Sequence, residues 1–192
     1  MLTGNFTAME SRTEINCGNG ISLAQPTLAD AETIAQLANN RAIWLNLRDS
    51  VPHPYTLDDA VWFVQAVEKG ALGLVFGIYL EKKLVGVVGV VPQTDIHRLS
   101  GEIGYWLGEP YWGRGIATVA VRYMILYTFE NTDLIRLFAG IMAPNKTSMR
   151  VLEKNDFTLD IIQRAAVYKD GKVLDEYRYS LINEEKLAAL LL

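Results

Sequence analysis

One cysteine and two histidines are all that the 192 residues offer to thiolate or imidazole chemistry. A lone Cys17 excludes an intrachain disulfide and a thiolate metal cluster. His53 and His97 lack the H-E-x-x-H spacing of a zinc hydrolase, and no G-x-S-x-G elbow accompanies them, so a histidine-based triad has no support. Basic runs are equally scarce. None is longer than Lys82-Lys83 and the net charge is −4, which argues against a nucleic-acid-binding stripe. Long apolar runs are missing too. Ala71 to Leu80 holds two glycines and is too short to cross a bilayer, and the opening MLTGNFTAMESRTE has no apolar signal core. These absences set the expectation of a cytoplasmic protein with no metal, no nucleic acid and no membrane among its partners.

What is present is apolar mass. Half of the residues are hydrophobic and 21% are charged, enough for a substantial core and against a disordered chain. The length suits one domain with tails. Residues 1–20 are polar and aperiodic and are read as a flexible tail, 21–182 as the domain, and 183–192 as a C-terminal tail with a short helix as one option.

Alternation predicts a first strand at Ile21 to Gln25. Pro26-Thr27 opens a helix with Leu28, Ala31, Ile34, Ala35 and Ala38 at helical spacing. Residues 39–55, NNRAIWLNLRDSVPHPY, read as a long binding connector, and Thr56 caps a second helix. Gly73 to Leu80 and Lys83 to Val91 form a hairpin around Glu81-Lys82. Strand 102–107, helix 116–129 and strand 136–142 make a right-handed crossover with parallel strands. A helix over 145–154 follows, then a hairpin of 157–168 and 173–182 around Asp170-Gly171. The sheet is therefore mixed.

The turn Leu107-Gly108-Glu109-Pro110-Tyr111-Trp112-Gly113-Arg114-Gly115-Ile116-Ala117-Thr118 separates a strand from a helix. Gly113 and Gly115 permit close backbone approach, and the helix start offers free N–H groups to a phosphate. The same glycines also suit a tight turn with close helix packing, and the two readings stand side by side at this point. A Walker loop is absent. A dinucleotide fold is disfavoured, because Thr118 stands where a third glycine belongs and a hairpin precedes the turn.

The segments EIGYWLGEPYWGRGIAT at 102–118 and PNKTSMRVLEKNDF at 144–157, with SVPHPYTLDDAVWFV at 50–64 more loosely, resemble the GNAT N-acetyltransferases. The branch they look most like is that of the ribosomal-protein N-terminal acetyltransferases. The resemblance implies an α+β fold, with a twisted mixed sheet of six to seven strands and four helices, splayed between the fourth and fifth strands at 102–107 and 136–142. It implies acetyl-CoA in that wedge as cosubstrate. The backbone of Tyr105, Trp106 and Leu107 would pair with the pantetheine. Trp112, Gly113, Arg114, Gly115, Ile116, Ala117 and Thr118 would hold the pyrophosphate, with Trp112 in place of the family's Gln or Arg. Asn145 would contact the cofactor, and Ser148 would lie near the sulfur, although both also read as an ordinary helix cap and first-turn residue. Leu152 occupies the position at which many members carry a tyrosine acid. Asp156 replaces a glycine before Phe157 and tolerates a left-handed cap.

Amide formation needs a neutral amine, so a proton acceptor is required, and Glu102 is the candidate base with a solvated strand-end carboxylate as its alternative. Trp44, Asn46, Arg48, Asp49 and Tyr55 of the connector, together with the hairpin 168–177, are candidates for the acceptor site, with Asp49 facing a cationic amine and core packing as the alternative for the aromatics. The acceptor is a protein N-terminus or a small amine, and the protein a monomer or homodimer. The rival function is a CoA-binding module without turnover.

Overall fold

The computed structural model describes residues 13–191. An eight-stranded sheet forms its centre: β1 (Glu14–Gly18), β2 (Ile21–Ala24), β3 (Leu74–Leu80), β4 (Lys83–Pro92), β5 (Ser100–Leu107), β6 (Arg136–Met142), β7 (Thr158–Lys169) and β8 (Lys172–Ile182). Their spatial order is β1-β2-β3-β4-β5-β6-β8-β7. Every neighbouring pair is antiparallel except β5 and β6, which a helical crossover joins in parallel. The helices among the described residues are α1 (Ala31–Ala38), α2 (Arg41–Trp44), α3 (Leu57–Glu68), α4 (Ile116–Asn131), α5 (Lys146–Glu153) and α6 (Glu184–Leu190).

Both expected hairpins form on two-residue turns with positive φ, at Glu81-Lys82 (48° and 66°) and Asp170-Gly171 (50° and 75°). Such turns match the right-handed twist of the strands they join. Asp156 takes a left-handed cap at φ 64°, as its side chain permits.

The element count differs from expectation in two places. Glu14–Gly18 is an edge strand rather than loose tail, and makes eight strands where six to seven were expected. Only Cys17 of this strand is buried, so its apolar alternation is too short to signal a strand. Residues 1–12 of the expected tail lie outside the described residues. There are six helices rather than four, because the connector 39–55 contains α2 and the tail after Ile182 forms α6. The Asn40 side chain accepts hydrogen bonds from the Ala42 and Ile43 amides and starts α2, and Asn183 starts α6 by accepting from the Lys186 amide.

Two cores lie on the two faces of the sheet. In the larger, Phe76, Val88, Val90, Ile103 and Leu137 meet Ile116, Ala120, Val121 and Met124 of α4 and Leu152 of α5. In the smaller, α1 and α3 pack Ala31, Ile34, Ala60 and Val64 onto Tyr79 and Leu84. Strand alternation sends β5 to both: Ile103, Tyr105 and Leu107 join the α4 side, and Trp106 the α1/α3 side.

Candidate active site

The parallel junction between β5 and β6 is the shortest in the sheet. It pairs Ser100 with Arg136, Gly101 with Leu137 and Glu102 with Phe138, then stops. β5 stays zipped to β4 as far as Leu107, and β6 to β8 as far as Met142. The two half-sheets therefore diverge beyond Glu102 and leave a wedge.

The peptide groups that border the wedge follow from hydrogen-bond parity. Gln93, just past the end of β4, donates to the Ser100 carbonyl, and the Gly108 amide donates to the Val85 carbonyl of β4, so even-numbered residues of β5 turn their peptide groups toward β4. Leu99 points the other way, its carbonyl accepting from Ile135 and Arg136. Tyr105 and Leu107 thus turn theirs into the wedge, whereas Trp106 turns its own toward β4. The Leu107 carbonyl accepts the Trp112 indole N–H at 2.8 Å, which folds the glycine turn back against the strand end.

That turn ends at the N-terminus of α4. Gly115 caps it in a left-handed conformation (φ 77°), no side chain caps it, and its first turn holds no acidic residue. A helix of sixteen residues with a bare N-terminus presents unsatisfied N–H groups and the positive end of its dipole. Gly113 is also left-handed (φ 72°), and space is open above both glycines. Arg114 is exposed and lies over the Tyr111 ring. Ile116 is buried in the core, while Ala117 and Thr118 are half-buried in the first turn. An extended ligand with an anionic group at one end fits this arrangement of free amides next to open strand edges.

The α5 N-terminus forms the second wall. Asn145 Oδ1 accepts from the Ser148 amide at 3.1 Å. The Tyr105 hydroxyl crosses from β5 to sit 2.8 Å from Ser148 Oγ and 3.1 Å from the Ser148 carbonyl oxygen. Burial pushes the Tyr105 phenol well above its ordinary range, with the Ser148 hydrogen bond opposing only in part, so it stays protonated. Leu152, one turn further along α5, is fully buried.

Glu102 lies at the apex of the wedge on the opposite face, where it is ion-paired with Arg48 of the connector. The other connector candidates do not converge on it. Lys169 of β7, its side chain 2% exposed, is held between Asp49 Oδ1 at 2.6 Å and the Trp44 ring at 3.7 Å. Asp49 therefore already has a cationic partner within the chain. Asn46 donates to the Ala42 carbonyl, and Tyr55 packs into the smaller core, where burial and then the Asp59 charge raise its phenol to about 12. Arg41 adds an ion pair to Asp170 at 2.7 Å. The connector is thus latched to the β7–β8 hairpin by partners distant in sequence, which residue spacing does not disclose. Arg41 and the Tyr105 side chain are the members of this region that sequence reasoning missed; Lys169 and Asp170 lie in the hairpin expected beside the connector, but their ion pairs were not foreseen. An Asp-Gly turn beside a lysine was the available signal for the hairpin end.

Comparison with known proteins bears on the family and the fold. The family model described as Acetyltransferase (GNAT) domain matches residues 21–158. A Bacillus subtilis (strain 168) protein named as an uncharacterized N-acetyltransferase, YoaA, is 29% identical over 171 residues, 83% of this chain and 92% of its own length. The ribosomal-protein-serine acetyltransferase of Escherichia coli (strain K12) is 28% identical over 107 residues, 56% of this chain and 59% of its own. Among solved structures, the microcin C7 self-immunity acetyltransferase MccE, in complex with acetyl-CoA and AMP, superposes with a TM-score of 0.76 at 25% identity, covering 88% of this chain and 95% of that one.

Lys169→Ala removes both the ion pair to Asp49 and the contact with Trp44. Amide hydrogen exchange across residues 41–52 is expected to speed up while β2 to β5 keep their protection; unchanged exchange in that segment would contradict the latch.

Proposed function

The chain belongs to the GNAT acetyltransferase family and is on that basis an acetyl-CoA-dependent N-acetyltransferase; from this premise we propose that it acetylates the α-amine of a protein N-terminus, with Glu102 and Ser148 on opposite faces of the wedge. The observation that carries the proposal is the early end of β5–β6 pairing beside the uncapped α4 N-terminus.

The amides of Gly113 to Thr118 receive the diphosphate, whose charge complements the helix dipole. The Tyr105 and Leu107 peptide groups meet the pantetheine as an added strand would, with Asn145 at the far wall; Trp106 contributes to this edge through packing only. Bound acetyl-CoA supplies an activated acyl carbon.

The acceptor approaches from the Glu102 face. An α-amine has a pKa near ~8, so at neutral pH most of it is protonated and Glu102 takes up the proton that the attack releases. Arg48 occupies Glu102 in this structure. An incoming ammonium competes for the same carboxylate, so Arg48 withdraws as the acceptor binds. A fixed backbone N–H of the splayed strand meets the developing charge on the carbonyl oxygen, and Ser148 gives a proton to the departing sulfur. Holding two substrates at one apex supplies much of the remaining acceleration.

A protein acceptor is favoured over a small amine by the open face next to Glu102. A cleft of about 340 Å³, lined by Gln93, Ser100, Arg136, Phe138, Gln163 and Arg178 among others, continues along the sheet from the residues that neighbour Glu102. It gives room and hydrogen-bonding groups to the residues that follow an N-terminal amine. The names of relatives that act on ribosomal proteins support the same choice.

The test is release of free thiol from acetyl-CoA with short peptides bearing free N-termini and, in parallel, with polyamines. Release with peptides is expected; release with polyamines alone would redirect the acceptor, and CoA binding without release from either class would make the chain a binding module. Glu102→Gln is expected to slow peptide acetylation most at low pH, where fewer amines are neutral; an unaltered pH–rate profile would remove Glu102 as base. Gly115→Val adds a side chain at φ 77° over the open helix end and is expected to weaken CoA binding by about tenfold or more, the equivalent of ~1.4 kcal/mol. Unchanged affinity in a calorimetric titration would refute the diphosphate site.

A further inference from the structure

Ser148 lies in the first turn of α5, where a serine hydroxyl ordinarily turns back onto nearby backbone carbonyls. Here it does not stand alone. The Tyr105 hydroxyl, delivered from β5 across the mouth of the wedge, lies 2.8 Å from Ser148 Oγ and 3.1 Å from its carbonyl oxygen. The Ser148 amide is fixed in turn by Asn145 Oδ1 at 3.1 Å. Backbone and side chain of one serine are therefore held from two different elements, one on each wall of the wedge.

The same residue has a second part in the geometry. Parity along β5 turns the Tyr105 peptide group into the wedge while its ring lies against the larger core. Its backbone and its hydroxyl thus bear on the same opening. The α5 face that carries Ser148 continues into Leu152, which is fully buried and offers no proton.

We propose that Tyr105 is the positioning residue for Ser148: of the two oxygens its phenol can donate to, Oγ is the nearer at 2.8 Å against 3.1 Å for the carbonyl, and donation to Oγ aims the serine's own proton at the cofactor sulfur. The assignment rests on the reading of Ser148 as the group that faces the sulfur. No net proton leaves Tyr105. In the step it serves, the carbon–sulfur bond breaks and its electron pair stays on sulfur; Ser148 hands its proton to that sulfur and takes one back from water, and the hydroxide left is neutralised by the proton that Glu102 took from the amine and releases to solvent. A phenol that burial keeps neutral suits a fixed donor rather than an acid.

The test reads the sulfur directly and needs no acceptor. CoA is bound to the wild-type chain and to Tyr105→Phe, Ser148→Ala and the double variant, with binding of each verified by calorimetry. The bound thiol is then titrated by the ultraviolet absorbance of its thiolate. A hydroxyl that donates to the thiolate lowers the thiol's pKa, so Ser148→Ala is expected to raise it by about half a unit to one unit, the worth of one hydrogen bond. Tyr105→Phe is expected to raise it by a comparable amount, and the double variant to go no higher than Ser148→Ala alone. A wild-type value in Tyr105→Phe with a raised value in Ser148→Ala would overturn the role of Tyr105 and leave that of Ser148 standing. A double variant equal to the sum of the singles would also overturn it. A wild-type value in Ser148→Ala would remove Ser148 itself, and the inference with it. Tyr105→Leu serves the same comparison if the phenylalanine variant melts too low to titrate.

Discussion

Three residue pairs join β5 to β6 between the two halves of this sheet, and the wedge depends on there being no more. β4 and β5 stay in register over seven residue pairs, and β6 and β8 over seven, but β5 and β6 meet at only three. Each half-sheet is satisfied on its own side. Twist accumulates between strands, and a junction this short cannot hold two twisted ribbons side by side along their length. The cost is a set of peptide groups without a strand partner, and polar groups left in that state are the ones a ligand can satisfy.

The rest of the architecture exploits the opening. The α4 crossover brings an uncapped helix end to its rim, and the Trp112 indole ties the glycine turn to the last β5 residue. α5 supplies the opposite rim, and the Tyr105–Ser148 contact spans the two. On the other face, the latched connector sets Arg48 over Glu102. Bare helix amides therefore lie on one side of the wedge and a carboxylate on the other, with the apex between them. In a chain of net charge −4, the features that favour an anion here are local amides and a helix dipole rather than overall charge.

Much of this was legible in the sequence because it is local. Hairpins at Glu81-Lys82 and Asp170-Gly171 are written in turn residues, the crossover in a change of period, and the glycine turn in residues that alone adopt its dihedrals comfortably. The family likeness was legible in the contiguous segments 102–118 and 144–157. What escaped is non-local. β1 buries a single side chain, so nothing in its pattern marks it as a strand. Asp49 looked like a partner for an incoming amine because the sequence cannot say that Lys169, 120 residues away, already holds it. Tyr105 was read for its backbone alone, since the position of its hydroxyl depends on how β5 and α5 meet in space.

A crystal structure of the chain with acetyl-CoA tests the central claim most directly. The account requires the pantetheine to run between β5 and β6, hydrogen-bonded to the Tyr105 peptide group, with the diphosphate on the α4 amides and the sulfur beside Ser148. A cofactor bound elsewhere, or β5 and β6 closed against each other beyond Glu102 in the complex, would contradict it.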